Sequence, residues 1–155
     1  MNYISWDYRG ISVFKEEIIK EDSVINRDEF PSIKHFKKRG LYTQDVRSKL
    51  CNYLNNCVPI VATTLPRLNV YTLKTEYSLV YFTDGEFIFT NLLQEYIHYE
   101  DFVLPQRWYN LINAKNYIND KFELDFDKIS LGKIDVFNNF KTSFDTRSAV
   151  TDAIL

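Results

Sequence analysis

Cys51 and His98 are the first residues to weigh for chemistry, because a thiol beside an imidazole makes a nucleophile. The chain holds two cysteines, Cys51 and Cys57, and two histidines, His35 and His98. Their spacing matches neither a CxxC pair nor a zinc-ligand pattern. Cys51 follows Leu50 on what reads as a core helix, and His98 falls at the end of another. A core thiol and a surface imidazole are therefore the expected roles. Paired carboxylates at Glu16-Glu17 and Glu100-Asp101 have the chemistry for acid–base work, but adjacent charges in polar segments more commonly form a solvated face. The chain contains no GxGxxG, P-loop or HExxH motif and no GxSxG elbow. No metal, no cofactor and no catalytic residue is expected, and the chain reads as a non-enzyme.

Charge is the stronger signal. The net charge is −2, yet residues 76–128 carry ten acidic and four basic residues. A nucleic-acid binder would be basic, so no direct nucleic-acid contact is expected, and the local acidity points to a cationic partner. Within it, residues 120–127 alternate. An extended strand would place Phe122, Leu124 and Phe126 on one face and Glu123, Asp125 and Asp127 on the other. Such a strip either defends a sheet edge against aggregation or meets a basic partner surface. Asp120, Glu123, Asp125 and Asp127 are the leading partner-binding candidates, joined by Glu95, Glu100 and Asp101 at the end of the preceding helix.

These residues need a scaffold, and the composition allows one. The 155 residues are 45% apolar and 16% aromatic, enough for one domain with a core. Residues 1–40 read as an N-terminal helical extension, 41–128 as the α+β core, and 129–155 as a C-terminal tail. A short strand over 2–6 and a helix over 13–20 are expected first. Pro31 opens a short helix ended by Gly40. Thr43 caps a helix through about Asn55 that carries Val46, Leu50, Tyr53 and Leu54 on one face. Four strands follow, over 58–64, 68–73, 77–83 and 86–90, the last two joined by a type I′ turn at Asp84-Gly85. Asn91, with Gln94, caps the next helix, whose stripe is Leu92, Leu93, Tyr96 and Ile97. Pro105 takes the first position of a further helix with Trp108, Leu111, Ile112 and Ile118 inward. A strand over 123–129 and a short helix over 134–140 complete the reading. The fold class is α+β, a small antiparallel meander packed by helices.

Taken in order, several motifs resemble one family. They are Tyr53-Leu54-Asn55-Asn56, Thr83-Asp84-Gly85, Phe87-Ile88-Phe89, Tyr96-Ile97 and Leu104-Pro105. This succession of helix end, meander, DG hairpin, short helix and LP helix start resembles small bacterial immunity proteins of contact-dependent inhibition and related polymorphic toxin systems. The likeness spans about half of the chain. It departs where that hairpin often carries Trp-Pro and this chain has Phe89-Thr90. The matched residues are scaffold, so the resemblance implies a kind of protein and transfers no toxin-binding residue.

The resemblance implies a monomeric protein that binds a cognate toxin domain, such as a basic nuclease, and occludes its active site or a functional surface. An adaptor or phage or mobile-element inhibitor with another protein partner is the alternative, and a small hydrolase comes third. No apolar run approaches the roughly 18 residues of a membrane span, and residues 1–10 lack the features of a signal peptide. A cytoplasmic location without membrane contact is expected.

Overall fold

The computed structural model describes residues 14–19, 27–64, 66–85 and 87–119. The expected strands over 2–6 and 123–129, the helix over 134–140, and the candidates Asp120, Glu123, Asp125 and Asp127 lie outside the described residues.

In the segment before residue 40, the helices expected over 13–20 and after Pro31 are replaced by short 3-10 turns at Lys15–Glu17, Arg27–Glu29 and Ile33–Phe36. They act as struts for apolar anchors: Phe14, Ile33 and Phe36 are buried in the common core. Ser32 caps the third turn by accepting from Lys34 N, and Gly40 then reverses the chain with φ +74°, a conformation open to glycine without strain.

Helix α1, Gln44–Asn55, starts where Thr43 Oγ1 accepts from Val46 N at 3.2 Å, satisfying an orphan amide of the first turn. Leu50, Tyr53 and Leu54 are buried and Val46 packs beside them. The chain continues through β1 Val58–Thr63, β2 Arg67–Leu68, β3 Thr75–Glu76, β4 Leu79–Thr83 and β5 Ile88–Thr90, then α2 Asn91–Tyr96 and α3 Gln106–Ala114. The architecture is α+β. A three-stranded antiparallel sheet in the order β1-β4-β5 packs with the helices, and β2-β3 forms a separate two-stranded ribbon.

The ribbon corrects the expected four-strand meander. The strand expected over 68–73 ends at Leu68 because Asn69 turns the chain. Its Oδ1 accepts from Tyr71 N and Thr72 N, each at 3.0 Å, and Leu73 then adopts φ 60°. An asparagine side chain that bonds the amides ahead of it imitates a backbone turn. The sheet therefore closes across the insertion, with Val61 opposite Tyr81 and Tyr81 opposite Thr90.

The hairpin turn is also different. Thr83 pairs with Ile88, so the connection holds four residues rather than two. Among the described residues of the turn only Gly85 has positive φ, 95°, and Asp84 does not, so no type I′ turn forms at Asp84-Gly85. Asp84 Oδ1 instead accepts from Phe87 N at 2.7 Å, and Thr83 Oγ1 donates to Phe87 O at 2.8 Å. One residue earlier than expected, the cap of α2 is Thr90, whose Oγ1 accepts from Leu93 N. Asn91 is drawn to the sheet, accepting from Val80 N and donating to Ser78 O. Gln94 donates to Leu54 O at 3.0 Å, tying α2 to α1. Pro105 precedes α3 as its cap. Ile118 is 66% exposed, since Asn116 and Tyr117 turn the chain away at φ 57° and 61°.

Leu92, Leu93, Tyr96 and Ile97 are buried as the stripe requires. They meet two aromatic groups. Phe14 contacts Phe36 and Phe102 at centroid distances of 5.2 and 6.0 Å. Trp108 stacks on Phe87 at 5.1 Å and touches Phe89 at 5.3 Å. Such pairs add roughly 0.5–1.5 kcal/mol each beyond their burial.

Candidate functional site

Two sequence candidates that looked remote meet in the structure. Cys51 Sγ, on α1, lies 3.5 Å from His98 Nδ1, just beyond α2. Burial raises the Cys51 thiol above its ordinary value, against a smaller lowering by Arg47. A nucleophilic cysteine needs the opposite shift, so the contact is a thiol–imidazole hydrogen bond rather than an activated pair. Burial likewise pushes the Cys57 thiol up. Among the described residues, no group of three or more His, Cys, Asp or Glu side chains is placed to hold a metal ion. No helix among them is long and apolar enough to cross a membrane.

The acidic candidates Glu95, Glu100 and Asp101 gather at the C-terminal end of α2, and buried Arg47 positions them. From α1, the Arg47 guanidinium donates to Ile97 O and Phe102 O at 2.9 Å and to Glu100 O at 2.8 Å. Three carbonyls of the segment that follows α2 thus receive a fixed fork of donors. On the other side, Lys38 N donates to Asp101 O at 2.6 Å and Val103 N to Phe36 O at 2.8 Å. The loop holding the acids is therefore clamped from both flanks.

The ribbon completes the surface. Asn69 Nδ2 donates to Glu95 Oε2 at 2.7 Å, and the Tyr71 hydroxyl donates to Asp101 Oδ1 at 2.9 Å. Glu95 and Asp101 are thus tied to the same turn. Tyr71 stacks on Tyr99 with ring centroids 4.0 Å apart and planes 11° from parallel, and Lys37 Nζ sits 4.7 Å above the Tyr71 ring. Burial and the Asp101 carboxylate push the Tyr71 hydroxyl up. Glu95 is raised, first by partial burial and then by the neighbouring Glu76 carboxylate, and less is recovered from Asn69. At the ribbon, Leu73 and Tyr77 stand 73% and 71% exposed.

Sequence reasoning found Glu95, Glu100 and Asp101 from the local excess of acid. It missed Glu76, Leu73, Tyr77, Tyr71 and Tyr99, because an Asx turn and a ring stack between distant segments leave no local pattern. It also missed Asp84, which is buried and accepts from Tyr53 Oη and Trp108 Nε1 as well as from Phe87 N. The arrangement can do little covalent chemistry. It can present carboxylates beside exposed apolar and aromatic side chains, the composition of a protein-binding face with a polar rim.

Comparison with known proteins finds no matching family model, no matching curated protein and no matching solved structure.

Proposed function

We propose that this chain is an immunity protein. It binds one cognate toxin domain through the surface formed by the end of α2 and the β2-β3 ribbon, and it occludes the toxin's active site or a surface the toxin needs. The carrying observation is the pairing of Glu76 and Glu95. After burial, the Glu76 carboxylate is the largest influence disfavouring the charge on Glu95, with Asn69 and His98 acting the other way; neither acid forms a salt bridge among the described residues, and Leu73 and Tyr77 are exposed on the same ribbon. A cationic partner surface relieves that repulsion and covers the apolar side chains at once. The acidity of residues 76–128 and the ordered motifs from Tyr53-Leu54 to Leu104-Pro105 support the same reading. Leu73 and Tyr77 serve as anchors, with the acids at the rim. The protein performs no catalysis and works in the cytoplasm, where its toxin would act.

Co-expression tests this directly. An immunity gene stands next to its toxin gene, so the toxin domain encoded beside this one is the probe. Expected are restored growth and a stable complex of the two purified proteins. A neighbouring toxin that still kills in the presence of this folded chain, with no complex formed, counts against the reading.

A further inference from the structure

β1, Val58–Thr63, is the longest of the described strands and lies at one end of the sheet order β1-β4-β5. The three residues of β5 at the other end are all buried. β1 pairs with β4 alone among the described strands, and Pro59, Ala62 and the following Thr64 are exposed. Bond direction alternates along an antiparallel ladder. On β4, Val80 N donates to Asn91 Oδ1 and, just past the strand, Asp84 N donates to Phe87 O, both toward the β5 side. Leu79 and Tyr81 therefore turn their peptide groups to their partners on β1, Thr63 and Val61. Ala62, between those two partners, points its N–H and C=O out of the sheet, and neither finds a hydrogen-bond partner among the described residues. Pro59 suits such an edge, since it has no N–H to leave unpaired.

An unpaired strand edge is a template for another strand unless charge, brevity or a bulge blunts it. The register does shift between Pro59 and Val61, which leaves the later half of β1 as the regular part. No Asp, Glu, Lys, Arg or His occurs between Lys49 and Arg67, so no charge guards this edge. The outer side of β3 differs: that strand is two residues long and carries Glu76, which would bring like charges together in any self-pairing. An exposed apolar side chain also stands near the head of β1. It is Ile118, 66% exposed, whose neighbour Asn119 donates to Tyr53 O at 2.9 Å and has its Oδ1 3.8 Å from Cys57 Sγ.

We propose that β1 pairs edge to edge with β1 of a second copy of this chain, antiparallel about a two-fold axis at Ala62, so that two three-stranded sheets join into one. Ala62 and the partner's Ala62 then exchange N–H···O=C bonds across the axis, and the contact is closed, because each copy spends its only β1 edge on the other. A second copy is the occupant that the charges favour. A neutral edge meets a neutral edge without repulsion, whereas a charged extended segment would be stripped of water here with no opposite charge to meet. The dimer takes the place of the monomer that the family resemblance implies. It uses none of the residues assigned above to the toxin and does not rest on that reading, because it concerns the free chain.

Sedimentation velocity on the free full-length protein, from low micromolar to near-millimolar concentration, should show the mass rising from one chain to two. Over the same range the Ala62 amide should pass from free to protected in hydrogen exchange, while the Tyr81 amide in β4 stays protected throughout. Ala62→Lys and Ala62→Glu each set like charges opposite across the axis, with Cβ atoms about 5 Å apart. Each variant alone should raise the concentration of half-assembly at least several-fold, and an equal mixture of the two should pair again. A folding defect cannot produce that recovery. A chain that stays single at every concentration overturns the proposal, as does a dimer that neither variant weakens or a weakened one that the mixture does not restore. Should the variants not fold, Ala62 exchange in the wild type decides, and protection that is absent or independent of concentration overturns the proposal. A toxin domain that fails to bind leaves all of these results unchanged, so the two proposals fail separately.

Discussion

Trp108 donates its indole N–H to Asp84 Oδ2 across 2.8 Å, joining α3 to the β4–β5 turn inside the core. The Tyr53 hydroxyl donates to the same oxygen at 2.7 Å, and Phe87 N to Oδ1 at 2.7 Å. Both carboxylate oxygens are therefore needed as acceptors. Asp84→Asn preserves the shape but turns an NH2 group toward one set of donors. A loss of about 2–4 kcal/mol is expected, because a buried donor without an acceptor carries its full desolvation cost. Urea denaturation measures it. A loss below about 0.5 kcal/mol would show that the turn does not need the carboxylate.

Arg47 makes a similar demand from α1. Its three carbonyl partners lie between Ile97 and Phe102. A lysine has a single flexible ammonium and cannot reproduce the fork. Arg47→Lys should destabilise the fold by about 2–3 kcal/mol and speed exchange of the Val103 amide more than that of the β4 amides. Equal effects on the two would mean that Arg47 supports the core generally and does not clamp the acidic loop.

These two residues also mark the limit of what the sequence discloses. Thr43 as a cap, the Leu50–Tyr53–Leu54 face and the Leu92–Tyr96 stripe were legible, because each depends on neighbours within one or two helical turns. The partners of Arg47 lie 50 to 55 residues away, and nothing local distinguishes it from a solvated helix arginine. Asp84 was read for its backbone, as half of a DG turn, whereas its side chain is what organises the turn and the core. Asn69 hid in an apolar run that looked like a strand, and its turn decides where the ribbon stands. The acidic end of α2 was therefore visible in the sequence, and the aromatic ribbon beside it was not.

Cys51 should behave as a slow thiol. Its raised pKa keeps it protonated at neutral pH, and reactivity follows the thiolate. Iodoacetamide at pH 7.5 should modify it several-fold more slowly than a free cysteine. His98→Gln should not slow it further, because the imidazole is not activating the sulfur. Cys51→Ser should retain the fold and any protection against the toxin. Rapid alkylation that is lost in His98→Gln would show an activated pair and reopen the hydrolase reading.

The surface at the end of α2 makes the most direct claim on function. Glu76, Glu95 and Glu100 place carboxylates beside the ribbon, while Asp101 is occupied by the Tyr71 hydroxyl and is best left in place. Reversing the three glutamates to lysine should slow association with a basic toxin domain by about 10- to 100-fold at low salt, and should flatten the dependence of the rate on ionic strength. Stability should move little at Glu100, since exposed substitutions stay within about ±0.5 kcal/mol, and half-buried Glu76 is checked by the same denaturation control as Glu95. Glu95→Lys also gives up the bond from Asn69, so it needs a denaturation control of its own. Leu73→Ala and Tyr77→Ala should act differently, raising the dissociation rate with little effect on association, as buried anchors do. Stopped-flow kinetics across a salt series, on the reversal triple and the anchor double, separates the two contributions. Unchanged association in the triple would move the electrostatic contact away from this surface, and Glu123, Asp125 and Asp127 would then be the acids to reverse.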